Sequence, residues 1–308
     1  MRGVSATWQS RWWLGKTGRS FATLRMTEKN MAPVITLTTD FGTGDAYVAS
    51  MKGVILTINP KAVIVDICHS IEPQNILQAA FILSTAHHYF PEGTIHLAIV
   101  DPGVGSQQKA IILKTPKAFF LAPDNGALSY ILDEFGKTPA KPAPRIHPSP
   151  EQRKLGAGLE AVAITNPDFW HKPVSTTFHG RDIFAPVAAH LSLGTALHKF
   201  GESLSHVFAF HIPRPFRDNQ GNLIGRVLHI DNFGNLITNI RGGDLPGERI
   251  TVTIGKQQIH GISQFYAEKE RLAAIIGSSG YLEISLKNGN AAAFLNARVG
   301  DKIKLKGS

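Results

Sequence analysis

Three short polar stretches hold the residue types that do chemistry. Phe178-His179-Gly180-Arg181-Asp182 places an imidazole, a guanidinium and a carboxylate within five positions. An imidazole titrates near neutral pH, so it can act as general acid, general base or orienting donor. Thr38-Thr39-Asp40-Phe41-Gly42 and Asp101-Pro102-Gly103-Val104-Gly105 each carry a carboxylate just ahead of glycines, at what reads as the end of a strand. Open α/β sheets bind ligands at the carboxyl ends of their strands. A fourth stretch, Asp231-Asn232-Phe233-Gly234-Asn235, reads either as an Asx-rich turn or as a polar ligand site. The His179–Asp182 stretch has a plain reading too: a helix start with Asp182 in the first turn and Arg181 in an ion pair. Carboxylates and amides at strand ends suit a polar, hydroxyl-rich, cationic ligand.

Other chemistries lack their signatures. No His-x-x-x-His or Cys/His set marks a metal site among the 13 histidines and the one cysteine. There is no P-loop, no dinucleotide fingerprint and no Gly-x-Ser-x-Gly elbow. Asp40-Phe41-Gly42 stands without the other elements of a kinase.

The elements that position these groups follow from pattern. Val34 to Thr39 is β-branched and reads as a strand. Val48, Met51, Ile55 and Ile58 recur at helical spacing over 45–59. Ala62 to Ile67 predicts a second strand, and a helix is expected from Pro73 to Tyr89, with Pro73 in its first turn. Thr94 to Val100 is near-continuously apolar, as in a sheet covered on both faces, and delivers Asp101. A strand pair over 109–114 and 118–122, closed by Pro123-Asp124-Asn125-Gly126, precedes a helix at 127–135. A buried helix is expected from Ile183 to Leu191. Beyond residue 215 the pattern changes to short strands with Asn/Gly turns, which indicates an all-β region, a small barrel or sandwich. The expected fold is therefore an α/β N-terminal domain, with a largely parallel sheet between helices, and an all-β C-terminal domain. The boundaries read as 31–204 and 212–308.

Composition adds bounds. Hydrophobic residues at 43% and charged residues at 18% are ordinary for a globular protein. The single thiol, Cys68, excludes an internal disulfide and fits a reducing cytoplasm. No apolar run is long enough to span a membrane. Residues 1–30 contribute five of the nine net positive charges and three of the four tryptophans. They read as a disordered extension or an over-long start ahead of Met31, so the basic pI does not indicate a nucleic-acid partner. Residues 137–152 carry five prolines and read as a surface excursion.

Six ordered motifs together carry a resemblance. They are the four stretches above, Pro123-Asp124-Asn125-Gly126, and Ser278-Ser279-Gly280-Tyr281-Leu282-Glu283. From Val34 to the C-terminus the chain resembles the S-adenosylmethionine hydroxide adenosyltransferases, relatives of fluorinase and chlorinase. The resemblance implies hydrolysis of S-adenosylmethionine to adenosine and methionine by in-line attack of water on the 5′ carbon. It implies no metal and no cofactor, with S-adenosylmethionine as substrate. It also implies a homotrimer with the site between subunits. Asp40 matches the carboxylate on the ribose hydroxyls, and Asp101 and His179 match two of an Asp-Arg-His water-activating set. Asp231 and Asn235 match residues holding the methionine end. Ser278 and Glu283 fall where the amino-acid moiety or adenine is met, and Asn288 and Ala291 lie in the loop that resembles the adenine-binding one. One position departs: the family's arginine, seven residues after the aspartate, is Gln108 here. Glutamine orients a water but brings no charge, which leaves reduced or lost activity open. Two alternatives remain: a non-catalytic S-adenosylmethionine or adenosine sensor, and a chlorinase-like halide-using transferase. The halide reading is the weaker, because Asp101 would repel the anion.

Overall fold

A computed structural model of the chain describes residues 32–136, 150–247, 250–268 and 271–307. The readings made above for residues 1–30 and for 137–149 of the proline-rich stretch lie outside the described residues.

The N-terminal part is built on a seven-stranded sheet. β1 (Val34–Thr39) leads through α1 (Tyr47–Ile58) to β2 (Val63–Cys68), then through α2 (Ile76–Ala86) to β3 (Ile95–Ile99). β4 (Ala110–Lys114) and β5 (Phe119–Pro123) form an antiparallel pair, followed by α3 (Ser129–Phe135). β6 (Glu151–Lys154), β7 (Glu160–Ala163), α4 (Ala185–Ser192), β8 (Ser203–Leu204) and β9 (His206–Ala209) complete this part. The sheet order is β2-β1-β3-β5-β4-β7-β8, and β6 pairs separately with β9. β1 runs parallel to β2 and β3, and β3 to β5, so β1 and β3 deliver Asp40 and Asp101 to the same edge of the sheet.

Alternation along the strands fills both faces. Ile35, Leu37, Leu97 and Ile99 pack with Met51 and Ile55 of α1 and Val187 and Leu191 of α4. Ala98, Phe120 and Ala122 pack on the other face with Leu83 of α2 and Ile131 and Leu132 of α3. Each such fully buried aliphatic side chain contributes about 2 kcal/mol of transfer free energy. Helices on both faces explain why β3 reads as a continuous apolar run.

Among its described residues, the C-terminal part is all-β apart from one short α-helix and two 3-10 turns. β10 (Phe216–Arg217), β11 (Leu223–Ile230), β12 (Leu236–Arg241), β13 (Ile250–Ile254), β14 (Gln257–His260), β15 (Leu272–Ile276), β16 (Tyr281–Leu286) and β17 (Lys302–Gly307) form one antiparallel sheet. Its order is β14-β13-β17-β11-β12-β16-β15, with β10 beside β11. Just past β14, Ser263 bridges Ile275 of β15, so the two ends of the sheet meet and the sheet closes barrel-like on itself. Alternate residues, among them Val227, Leu236, Val252, Leu282, Ile303 and Leu305, form its core.

Three local expectations are corrected. α2 begins at Ile76 rather than Pro73, with the Asn75 side chain accepting from Gln78 N as its cap. Gln74 sits in the left-handed region (φ +66°), which breaks the helix before that point. The helical turn after His179 starts earlier than Ile183: Gly180–Phe184 forms a π turn that runs straight into α4. Ala291, expected in a loop, opens α5 (Ala291–Leu295) behind the Asn290 cap.

Candidate active site

Asp40, Asp101 and His179 line one cavity of about 420 Å³ at the carboxyl edge of the parallel strands, with Phe41, Tyr47, Gln74 and Phe178. Asp40 and Asp101 are held by contacts between segments distant in the chain as well as by their own turns. Asp40 Oδ2 accepts from Gln74 N at 2.9 Å. The turn that carries it is tied down twice by His69. Gly42 N donates to the His69 carbonyl at 2.8 Å, and Thr39 Oγ1 lies 2.8 Å from His69 Nδ1 while accepting from Phe41 N at 3.2 Å. His69 is buried, and its Nε2 lies 3.0 Å from Asp66 Oδ1, whose other oxygen meets Lys52 Nζ at 2.6 Å. Burial works against the Asp66 carboxylate, but Lys52 and His69 hold its pKa below the usual range.

Asp101 follows β3, whose end is pinned by Asn125 Nδ2 donating to the Val100 carbonyl at 2.9 Å. This is what the Pro123–Gly126 motif does in the fold. Asp101 Oδ1 accepts from Gly103 N at 3.0 Å and from Gln108 Nε2 at 2.6 Å. Burial raises the Asp101 pKa, aided by the Asp40 charge, against the opposing pull of Gln108, Gly103 and His179. Gln108 therefore occupies the station of the expected cation, as a neutral donor. It reaches Asp101 from a neighbouring cavity of about 770 Å³, which it lines with Lys109, Asp124 and Asn125.

His179 immediately precedes the π turn and makes no side-chain capping bond to it. π turns concentrate at functional sites because they rotate side chains out of the α register. Asp182 is fully buried, taking Arg181 Nε at 2.6 Å on one oxygen and Ser175 N at 2.8 Å and Arg181 at 3.0 Å on the other. The plain reading thus holds for Arg181: it pairs with Asp182 and lies over the Phe178 ring at 5.1 Å. At Gly180 a Cβ would come within 3.2–3.3 Å of the Phe41, Met51 and Phe178 side chains, which would have to give by a few tenths of an ångström to admit it. Phe41, Tyr47 and Phe178 meet edge-to-face and tilted, with centroids 5.1–5.9 Å apart, and form an aromatic wall beside Asp40 and His179.

The C-terminal candidates gather in a different cavity, of about 920 Å³. Asp231, Asn235, Ser278, Glu283 and Asn288 all line it, with Phe233 and Tyr266. Ala291 does not: it is fully buried, although Ala292 N ties α5 to the carbonyl of Gly234 at 2.9 Å. Asp231 Oδ1 accepts from Phe233 N (2.9 Å) and Asn235 N (2.8 Å), and Oδ2 from Asn235 Nδ2 (2.9 Å). Three of roughly four acceptor positions are therefore used inside the turn, leaving one on Oδ2 for a donor such as an ammonium. The same turn occurs a second time. In Asp218-Asn219-Gln220-Gly221-Asn222, Asp218 Oδ1 accepts from Gln220 N and Asn222 N at 2.9 Å each, and Asn222 Nδ2 meets Oδ2 at 2.9 Å. Asp-Asn-x-Gly-Asn is thus a structural unit of the barrel, and only its second copy lines the cavity. Gly234 (φ +83°) is required there twice over, since a Cβ would also collide with the Asn290 side chain at 2.1–2.4 Å.

Glu283 is buried, and burial raises its pKa, helped by Asp231 and opposed by the hydrogen bond from Tyr266 Oη at 2.7 Å. Burial first, and that bond second, push Tyr266 up to about 12. Tyr266 lies in a stretch with no periodic pattern, so nothing in the sequence marked it. Tyr47 stands close after the Thr38–Gly42 motif and could have been found as an aromatic neighbour of Asp40, whereas His69, just past β2, comes to the turn through the parallel pairing of β2 with β1.

Comparison with known proteins follows the same two-part division. The family model described as SAM hydroxide adenosyltransferase N-terminal domain matches residues 35–201, and that described as SAM hydroxide adenosyltransferase C-terminal domain matches residues 225–304. The chain is 35% identical to a protein of Methanocaldococcus jannaschii named (R)-S-adenosyl-L-methionine hydrolase, covering 88% of this chain and 95% of that one. A Nocardia brasiliensis protein named fluorinase is 26% identical, with 91% and 99% covered. The crystal structure of an uncharacterized conserved protein from Thermotoga maritima superposes with a TM-score of 0.75 at 34% identity, covering 88% of this chain and 99% of that one.

Proposed function

The chain belongs to the SAM hydroxide adenosyltransferase family, and from that premise we propose that it hydrolyses S-adenosyl-L-methionine to adenosine and L-methionine. The observation that carries this reading is the shared cavity of Asp40, Asp101 and His179, with Gln108 bonded to Asp101. Asp40 accepts from the ribose hydroxyls, and the aromatic wall packs against the adenosyl group near its cationic sulfur. Water is held between Asp101 and His179 on the side of the 5′ carbon opposite the sulfonium. The new O–C5′ bond forms as the C5′–S bond breaks, and the electron pair leaves with the neutral sulfur of methionine. The water proton passes to Asp101 or His179 and then to solvent. A carboxyl with a raised pKa is better suited to take that proton than an ordinary one. The sulfonium is already a good leaving group, so the residues need only desolvate and align the nucleophile, and the reaction runs without a cofactor. Asp101 also disfavours halide as the nucleophile.

Asp231, Asn235, Ser278, Glu283 and Asn288 hold the amino-acid and adenine ends. In one chain they line a different cavity from Asp40, Asp101 and His179, and the two cavities share no lining residue. Exposed aromatics, Tyr47 at one and Phe233 and Tyr266 at the other, border both. This supports a homotrimer in which the 31–204 domain of one subunit meets the 212–308 domain of the next. The unpaired Cys68 supports a cytoplasmic location, and among the described residues no helix is long and apolar enough to cross a membrane.

The test is direct. Incubation of the purified protein with S-adenosylmethionine in chloride-free buffer should yield adenosine and methionine in equal amounts, resolved by chromatography. His179→Ala should reduce turnover by at least about a hundredfold. Tight binding without turnover in the unaltered protein overturns the hydrolase reading in favour of a sensor.

A further inference from the structure

Two imidazoles and a carboxylate cluster at the junction of α2 and α3, outside both candidate cavities. The chain leaves α2 in a 3-10 turn, His87–Tyr89, and both imidazoles of that turn converge on one carboxylate of α3. His87 Nε2 lies 3.2 Å from Glu134 Oε2, and His88 Nε2 lies 3.5 Å from the same oxygen. The three donor atoms all lie within 4.8 Å of one another. Ligands at 2.0–2.1 Å from a tetrahedral zinc ion stand about 3.3 Å apart. Both distances to the carboxylate oxygen bracket that value.

We propose that His87, His88 and Glu134 form a binding site for a divalent transition-metal ion of the zinc class, three protein ligands with the fourth position left to solvent. The site staples the end of α2 to α3. Imidazole and carboxylate are ligands that zinc accepts together. The two rings are tilted at 37° to one another with centroids 3.8 Å apart. Behind them the buried His96 stacks on Phe120 at 5.0 Å and stands 6.1 Å from His87, closing the inner side. On the outer side His88 and Glu134 border a polar cavity of about 470 Å³ that admits water. Two features oppose binding and set what must move. Lys117 adds a positive field at His87. Coordination also separates the rings, which the half-exposed His88 side chain is free to do.

The experiment titrates Co²⁺ into the full-length protein and reads its visible d–d absorption, then adds Zn²⁺. The expected result is one equivalent of Co²⁺ per chain with the intense bands of a four-coordinate ion, displaced stoichiometrically by Zn²⁺. His88→Ala and Glu134→Gln, both at partly exposed side chains, should each weaken binding at least about tenfold, while the exposed His198→Ala should change nothing. Absence of a four-coordinate spectrum, or binding that is equal in the altered proteins, overturns the proposal. It would leave Glu134 as a carboxylate hydrogen-bonded to His87 with His88 nearby.

Discussion

Gln108 and Asp101 decide how the candidate site responds to pH. Burial raises the Asp101 pKa, and the partner at 2.6 Å is a neutral amide that offsets only part of this. In the folded protein this carboxyl holds its proton to higher pH than in the unfolded chain. Its contribution to stability therefore falls as pH rises between the unfolded and folded pKa values. The acid limb of kcat/KM should lie above the usual carboxylate range. Gln108→Arg places a cation beside Asp101 and should move that limb about one pH unit lower, read from a pH–rate profile. An unmoved limb would mean that Asp101 does not set it. At this scale the sequence was informative about identity and less so about partners. Asp40, Asp101, Gln108 and His179 were visible as polar residues in short motifs. Their supports were not, because Gln74 acts through its backbone N–H and Asn125 through a strand-end carbonyl, contacts that depend on long-range packing.

The π turn Gly180–Phe184 is the element that aims His179. Its anchor is Asp182, which holds Ser175 N and the Arg181 guanidinium from a fully buried position. Removing the carboxylate leaves those donors unsatisfied. Asp182→Ala should cost about 3 kcal/mol in urea-induced unfolding and lower kcat more than it raises KM. A loss below about 1 kcal/mol would show that the turn is held by apolar packing instead. The sequence placed the helix start at Ile183 because the apolar run begins there, and hydrophobic periodicity gives no sign of a wider turn ahead of it. The strands β1 to β5, rich in Val, Ile and Leu, were legible. β6 and β15 were not: Glu151–Lys154 has no apolar face, and the alanines of Leu272–Ile276 carry weak strand preference.

At the scale of the whole molecule, the two sets of proposed substrate contacts line separate cavities. If the site is shared head-to-tail between neighbouring subunits, two inactive proteins can complement each other. His179→Ala mixed equally with Asp231→Ala, unfolded and reassembled together, should recover about a quarter of the unaltered activity, the random frequency of an interface with both halves intact. No recovery would mean that each chain supplies its whole site. The two-part architecture was legible because the change from helical to strand periodicity near residue 215 is abrupt. The closing contact between Ser263 and β15 was not, since it joins segments with no local signature.

The repeated Asp-Asn-x-Gly-Asn turn has a bearing on how this family's history can be read. The copy at Asp218 is kept by the barrel for its own folding, with no candidate substrate cavity beside it. The copy at Asp231 would be kept for the same reason even in a descendant that had stopped using it for a ligand. Retention of that pentapeptide across lineages therefore carries little information about activity. Drift at His179 or at Asp101, neither of which repeats as a folding unit, is the trace by which a silenced descendant would be recognised.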